Sequence, residues 1–289
     1  MYKRQRLYLA GTVVTLCANV ALDMLAVKGL RLGVTGAAAA TGLAYLAGLL
    51  VVCRPLLART SVLNLYDGRF CGRSLCHAVL NGSSEGVTYA SAAFTVFVLN
   101  RSFMQFAGAS GVAAFTIIKY IGNFVTLVMF GMSDGISPIL SNNYGARQDA
   151  RLHRTYVIAA AANLTVGVCF CLLFAWWGEP LIRLFVTSAE EAAVVAMAAR
   201  GARIYGLCFL ANGWNILQSG YYTALGQAGA SLLIAASRGF VFIALGLLWL
   251  PAWLGIDGVW AALPFAEGVT VLLGLLVFAY KRNRRRRHG

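Results

Sequence analysis

Asn19 and Asp23 stand four residues apart inside an apolar run. Thr41 lies in the next such run, beyond a glycine turn that holds Gly29, Gly33 and Gly36. Residues at i and i+4 share one face of a helix. A carboxylate set among Val20, Leu22, Met24 and Leu25 has little water nearby, so it must be protonated, paired, or holding a cation. A carboxylate, an amide oxygen and a hydroxyl are hard oxygen donors suited to a group-one cation. Three readings stay open: a sodium ligand, a proton carrier, or an acid that only caps the turn at the end of its helix. The first two are the chemistry of ion-coupled membrane transport.

Composition gives these residues their setting. The chain is 60% hydrophobic and 12% charged, with mean hydropathy +0.72, whereas soluble domains are about 25% charged. Stretches of about 20 mostly apolar residues, enough for a bilayer-spanning helix, recur along the chain. The sequence thus predicts an all-α integral membrane protein, a polytopic helical bundle of eight transmembrane helices. The spans fall at roughly residues 7–26, 35–57, 78–100, 111–133, 155–178, 196–218, 230–250 and 259–280. Strict two-residue alternation is absent, which argues against an outer-membrane barrel.

The net charge of +14 does not imply nucleic acid, because the basic residues gather in the breaks between spans and in the tail Lys281–Arg287. On one side fall Lys3, Arg4, Arg6, Arg54, Arg59, Arg69, Arg73, Arg147, Arg151, Arg154, Arg238 and the tail; on the other only Lys28, Arg31, Arg101 and Arg183. The positive-inside rule then places both termini in the cytosol, in a multi-pass protein of the cell's inner membrane, with the tail against anionic lipid headgroups. The seven cysteines lie mostly inside spans without a second ligand pair at zinc spacing, and read as reduced apolar residues. No histidine, serine or cysteine constellation suggests catalysis, and no nucleotide-binding motif is present. No cofactor is expected beyond a sodium ion or a proton.

The longest polar connection, about residues 58–76, reads as a cytosolic linker. Before it, residues 1–57 hold two spans; after it, residues 77–280 hold six, followed by the basic tail 281–289. The turn Leu32-Gly33-Val34-Thr35-Gly36-Ala37 resembles Leu254-Gly255-Ile256-Asp257-Gly258-Val259, and internal repeats are common in transporters. If the second unit has six helices, the first should as well. The expectation is that four helices precede this chain in a longer protein.

The second unit opens with Asn81-Gly82-Ser83-Ser84-Glu85-Gly86. It continues through Phe106-Ala107-Gly108-Ala109-Ser110-Gly111 and Gly131-Met132-Ser133-Asp134-Gly135-Ile136-Ser137-Pro138, then Ser219-Gly220-Tyr221-Tyr222-Thr223-Ala224-Leu225-Gly226-Gln227 and Pro264-Phe265-Ala266-Glu267-Gly268. In this order the segments resemble the C-terminal lobe of the MATE (multidrug and toxin extrusion) family, in its bacterial branch. The resemblance implies two pseudo-symmetric six-helix lobes, of which this chain is the last two helices of the N-lobe and a complete C-lobe. It also implies export of drugs or metabolites against sodium or proton entry. In the family, an acid on the first helix, an Asn and an Asp one turn apart on the fifth, and a Thr on the sixth form a cation site. Asn19, Asp23 and Thr41 match the last three, and the first-helix acid would belong to the preceding part. The expected partners are membrane lipids and a small organic, cationic and amphipathic substrate, and the complete protein is expected to be a monomer.

Other polar residues inside spans suggest a C-lobe cavity. Either Glu85 and Lys119 pair, since intramembrane acids and bases tend to do so, or Glu85 stays hydrated near the cytosolic interface; Asn215 and Gln218 would line the same cavity. Asn123, Asn163, Asn212, Phe94, Phe97, Phe103, Tyr205, Trp214 and Tyr221 could complete a chamber for organic cations. Some family members carry carboxylates where the resemblance places Tyr89 and Asn215, so coupling would rest on the N-lobe. Asp134 is expected to satisfy backbone groups freed by Pro138, and Glu267 to face the bundle interior. Arg200 and Arg203 should pair with Glu190 and Glu191. The rival functions are a lipid-linked oligosaccharide flippase of the same superfamily, which would need a strongly cationic cavity, and a non-transporting membrane protein or inactive fragment.

Overall fold

The computed structural model describes residues 2–54, 71–186 and 192–288, with side chains described for residues 6–7, 9–54, 71–186 and 192–281. Residues 58–70 of the expected linker, and Glu190 and Glu191, lie outside the described residues. The chain divides into two compact units, Met1–Gly72 and Arg73–Gly289, and every described element is helical.

The first unit is a helical hairpin. Helix α1 (Tyr2–Asp23) runs on into a π-helical segment, Met24–Gly29, and α2 (Gly33–Cys53) returns beside it. The reversal uses positive φ at Arg31 (52°) and Gly33 (58°). The buried face of α2 is Gly36, Ala40, Ala44 and Gly48, one small residue per turn. Small residues let two helix backbones approach closely within a bilayer, where lipid removes most of the hydrophobic drive between helices. Outward-facing residues such as Leu9, Leu16, Leu46 and Leu50 are exposed, as a lipid-facing surface requires.

The second unit begins with α3 (Gly72–Gly145), 74 residues long. A straight helix of that length would reach about 110 Å, several times the hydrocarbon thickness. It does not run straight: Gly108 adopts φ 62°, ψ −153°, a conformation that only glycine enters readily. The two arms fold back on each other there. Phe103 stacks on Phe115 with ring centroids 5.0 Å apart. Helix α4 (Asp149–Arg183) follows, then α5 (Ala192–Gly206) and α6 (Cys208–Ala224), bent by 46° where they meet. Next come α7 (Ala228–Ala236), a π-helical segment (Ser237–Val241) and α8 (Phe242–Leu254). The last helix is α9 (Ile256–His288).

The core of this unit centres on Phe103, Phe115 and Trp260, with Phe103 and Trp260 rings 4.3 Å apart. Gly201 faces the Trp260 ring so closely that a β-carbon there would collide with it. Phe103 and Tyr205, expected as chamber residues, are packing residues of this core instead.

Among the described residues, six helices are long and apolar enough to cross a membrane, and a seventh span arises if α5 and α6 are taken together. The longest of these, α3, is the one that turns back at Gly108. Gly33 and Gly255, matched by sequence, both have φ 58° and each lies between two helices.

Candidate cation site

The α1–α2 hairpin brings two of the three expected N-terminal residues together. Asn19 Nδ2 donates to Thr41 Oγ1 at 3.2 Å, and the Thr41 hydroxyl donates to Ala37 O at 3.0 Å. The hydroxyl proton is committed to the backbone, so its lone pairs face the amide. The pair is held in register by the small-residue stripe, since Thr41 follows Ala40 on α2. Asn19 and Thr41 line an open groove of about 580 Å³ between the two helices, together with Thr15, Ala44 and Gly48.

Asp23 lies one turn beyond Asn19, about 6 Å along the axis, where α1 passes into the π-helical segment. It is half-buried, and it neither lines that groove nor bonds to Asn19 or Thr41. Its Oδ1 is buried without a hydrogen-bond partner among the described residues. Its side chain makes no hydrogen bond to the turn it begins. An acceptor left buried and unbonded costs about 1–3 kcal/mol, so an incoming proton or cation would relieve it.

The second unit holds a more closed polar site. A cavity of about 20 Å³ is lined by Glu85, Ser133, Asp134, Asn215, Ser219 and Arg238, among others. That volume admits about one water molecule. Behind it, Arg238 Nε lies 3.6 Å from Glu267 Oε1. Asn215 Nδ2 donates to Glu267 Oε2 at 2.7 Å and to the Glu267 carbonyl at 2.9 Å. Glu267 is 3% exposed, which agrees with its expected inward placement. A carboxylate so deep is tolerable because a guanidinium and an amide both face it.

Several expectations change here. Glu85 does not pair with Lys119. Glu85 lies 23 residues before the Gly108 turn and Lys119 only 11 after it. Glu85 therefore meets Asp134 across the cavity, and Lys119 stands about 22 Å further along the helix. Asp134 faces that cavity and makes no bond to the backbone near Pro138 among the described residues. Gln218 shares a face of α6 with Asn215 but lines a different groove from Glu85, donating to Gly274 O of α9 at 2.9 Å. Arg238 is not a loop residue; it sits within the α7–α8 rod with its side chain 16% exposed. Arg200 pairs with Asp257 of α9. The Arg238–Glu267 pair was missed because one charge within an apolar run was taken as a break between spans. The signal was the position of Arg238 inside the expected span 230–250.

Apolar helices with outward-facing leucines, a hydroxyl and an amide joined across a hairpin, and three charged side chains around a small cavity define a helical membrane bundle. Residues 86–248 match the MatE family, more than half of the chain, and the chain belongs to that family. It is 25% identical over 279 residues to the multidrug export protein MepA of Staphylococcus aureus (strain bovine RF122 / ET3-1), a match covering 95% of this chain and 60% of that protein. A MepA from Staphylococcus saprophyticus is 24% identical over 276 residues. The chain thus spans 60% of the length of these curated relatives.

Solved structures share the fold. A MATE protein in complex with MaL6 superposes with a TM-score of 0.85 at 20% identity, covering 96% of this chain and 63% of that one. A MOP superfamily transporter from Pyrococcus furiosus, described as having a binding pocket of reverse polarity, gives 0.84 at 20% identity over 94% of this chain and 61% of that one.

Proposed function

We propose that the chain is part of a secondary antiporter of the inner membrane that exports small organic cations in exchange for sodium or protons. The observation that carries this is the buried, unbonded Oδ1 of Asp23, one turn from the Asn19–Thr41 hydrogen bond. In this reading Asp23 takes up the coupling cation, Asn19 Oδ1 and Thr41 Oγ1 supply further oxygen donors, and occupancy shifts the packing of α1 against α2. Such a shift is available only if the ion binds one arrangement better than the other. With α3 counted as two crossings at Gly108 and α5–α6 as one, the chain crosses eight times with both termini in the cytosol.

The acid excess lining the cavity of the second unit supports a cationic cargo over a pyrophosphate-linked one. Glu85 and Asp134 line its cavity against Arg238 alone, and Arg238 is already matched by Glu267.

The test is Asp23→Asn in the complete transporter, scored by efflux of a cationic dye under an imposed sodium or proton gradient. Gradient-driven efflux should vanish while the amount of protein in the membrane stays normal. Efflux at the wild-type rate would reject Asp23 as the coupling residue.

A further inference from the structure

Helices α4, α6 and α9 of the second unit enclose a groove that the cation cavity does not share. Its deeper part, about 720 Å³, is lined by Val157, Ala161 and Leu164 of α4, Trp214 of α6, and Leu275 and Phe278 of α9. Its mouth, a further 190 Å³, is lined by Asp149, Tyr221, Tyr222, Gln227 and Lys281. The two parts share His153, Tyr156 and Phe278 and so form one graded slot. Its residues recur on each helix every three or four positions, one face of each. From Asp149 to Leu164 along α4 the slot descends about 22 Å. That is the depth of one leaflet, half of a bilayer about 40–45 Å thick with its headgroups.

The polarity falls along that depth. At the mouth, Lys281 donates to Gln227 and lies 4.9 Å over the Tyr222 ring, which fixes an ammonium at headgroup level. Asp149 supplies an opposite charge at the same mouth. Tyr156 stands between, edge-on to Tyr221 at 5.0 Å and to Trp214 at 5.8 Å. Trp214 lies two turns below Tyr222, and its Nε1 is buried with no hydrogen-bond partner among the described residues. An indole N–H is a donor only. Below it the walls are aliphatic.

We propose that this slot binds one aminophospholipid, such as phosphatidylethanolamine. Its phosphate meets Lys281, its ammonium meets Asp149, an ester carbonyl accepts from Trp214 Nε1, and one acyl chain fills the channel beside Ala161. Opposite charges fixed at one mouth select a zwitterion, where a single basic patch would select any anionic lipid.

The test uses the purified chain equilibrated with vesicles of equal phosphatidylethanolamine and phosphatidylglycerol, with retained lipid read by native mass spectrometry. The wild type should retain one phosphatidylethanolamine at about tenfold preference. Ala161→Trp, which fills the channel, should reduce retention about tenfold, while Ala113→Trp, on an exposed face outside the slot, should leave it unchanged. Lys281→Gln keeps the channel open and should abolish the headgroup preference without loss of folded protein. Equal retention of the two lipids by the wild type overturns the proposal. So does wild-type retention by Ala161→Trp, or equal loss in both tryptophan variants.

Discussion

Arg238 and Glu267 meet at 3.6 Å across the hairpin that turns at Gly255, and Asn215 donates to the same carboxylate at 2.7 Å. The first unit clasps its own hairpin at a comparable place, where Asn19 donates to Thr41 at 3.2 Å. Two hairpins, each turning at a glycine with φ 58°, are thus cross-linked by different chemistry: an ion pair in one, a neutral and more open hydrogen bond in the other. The ion pair is the more deeply buried of the two contacts.

Breaking the ion pair on one side strands a charge. Glu267→Ala or Arg238→Ala should destabilise the second unit by about 3–5 kcal/mol, whereas Arg238→Met with Glu267→Leu should recover most of that loss. Thermal unfolding in detergent, followed by retention of monodisperse protein, distinguishes the two outcomes. Equal loss in the single and double variants would assign the effect to packing alone.

Gly108 carries φ 62°, ψ −153°, and no neighbouring atom would obstruct a β-carbon there. Gly108→Ala should therefore cost about 1–3 kcal/mol through backbone strain only. Gly131→Ala, in a helical stretch of the same element with similar open space, should be neutral or slightly stabilising. The comparison by thermal denaturation isolates the turn from helix propensity.

The Asn19–Thr41 bond is the contact that the coupling scheme needs to be reversible. Thr41→Val removes the hydroxyl at nearly constant volume and should weaken the hairpin by about 0.5–1.5 kcal/mol, while Thr41→Ser should behave as wild type. Transport by the complete protein should fall with Thr41→Val and survive Thr41→Ser. Unchanged sodium or proton dependence in Thr41→Val would separate the bond from coupling.

Ala44 is fully buried where α2 meets α1. Ala44→Leu should force the helices apart, at a cost of about 1–3 kcal/mol, and should also part Asn19 from Thr41. Cysteines placed at Thr15 and Gly48, whose atoms are in contact, should cross-link readily in the parent and poorly in the Ala44→Leu background.

Much of the architecture could be read before any coordinates. Apolar runs gave the helices, and the Gly33 and Gly255 turns, 222 residues apart, gave the repeat. The family resemblance placed Asn19 and Thr41 in one site, and they do meet because both are tied to one short hairpin. Pairings between distant elements were harder. Glu85 was matched with Lys119 on charge alone, although counting outward from Gly108 points to the neighbourhood of Asp134. Arg238 defeated the reading for another reason: hydropathy penalises a charge without knowing whether Glu267 and Asn215 wait across the interface. Gln218 had the right character for a cavity and shares a face of α6 with Asn215, but it reaches Gly274, further along α9 than Glu267, and so lines another groove.

The reversal at Gly108 bears on how the protein enters the membrane during synthesis. From Ser102 to Ile118 there is no charged side chain, so the tip of this finger brings no ionic hydration shell to be stripped. Both arms of α3 can leave the insertion machinery side by side, as one preformed unit thrust through the lipid. The chain would thereby gain two crossings in a single event, and their antiparallel sense would be settled by one glycine before any later helix arrives.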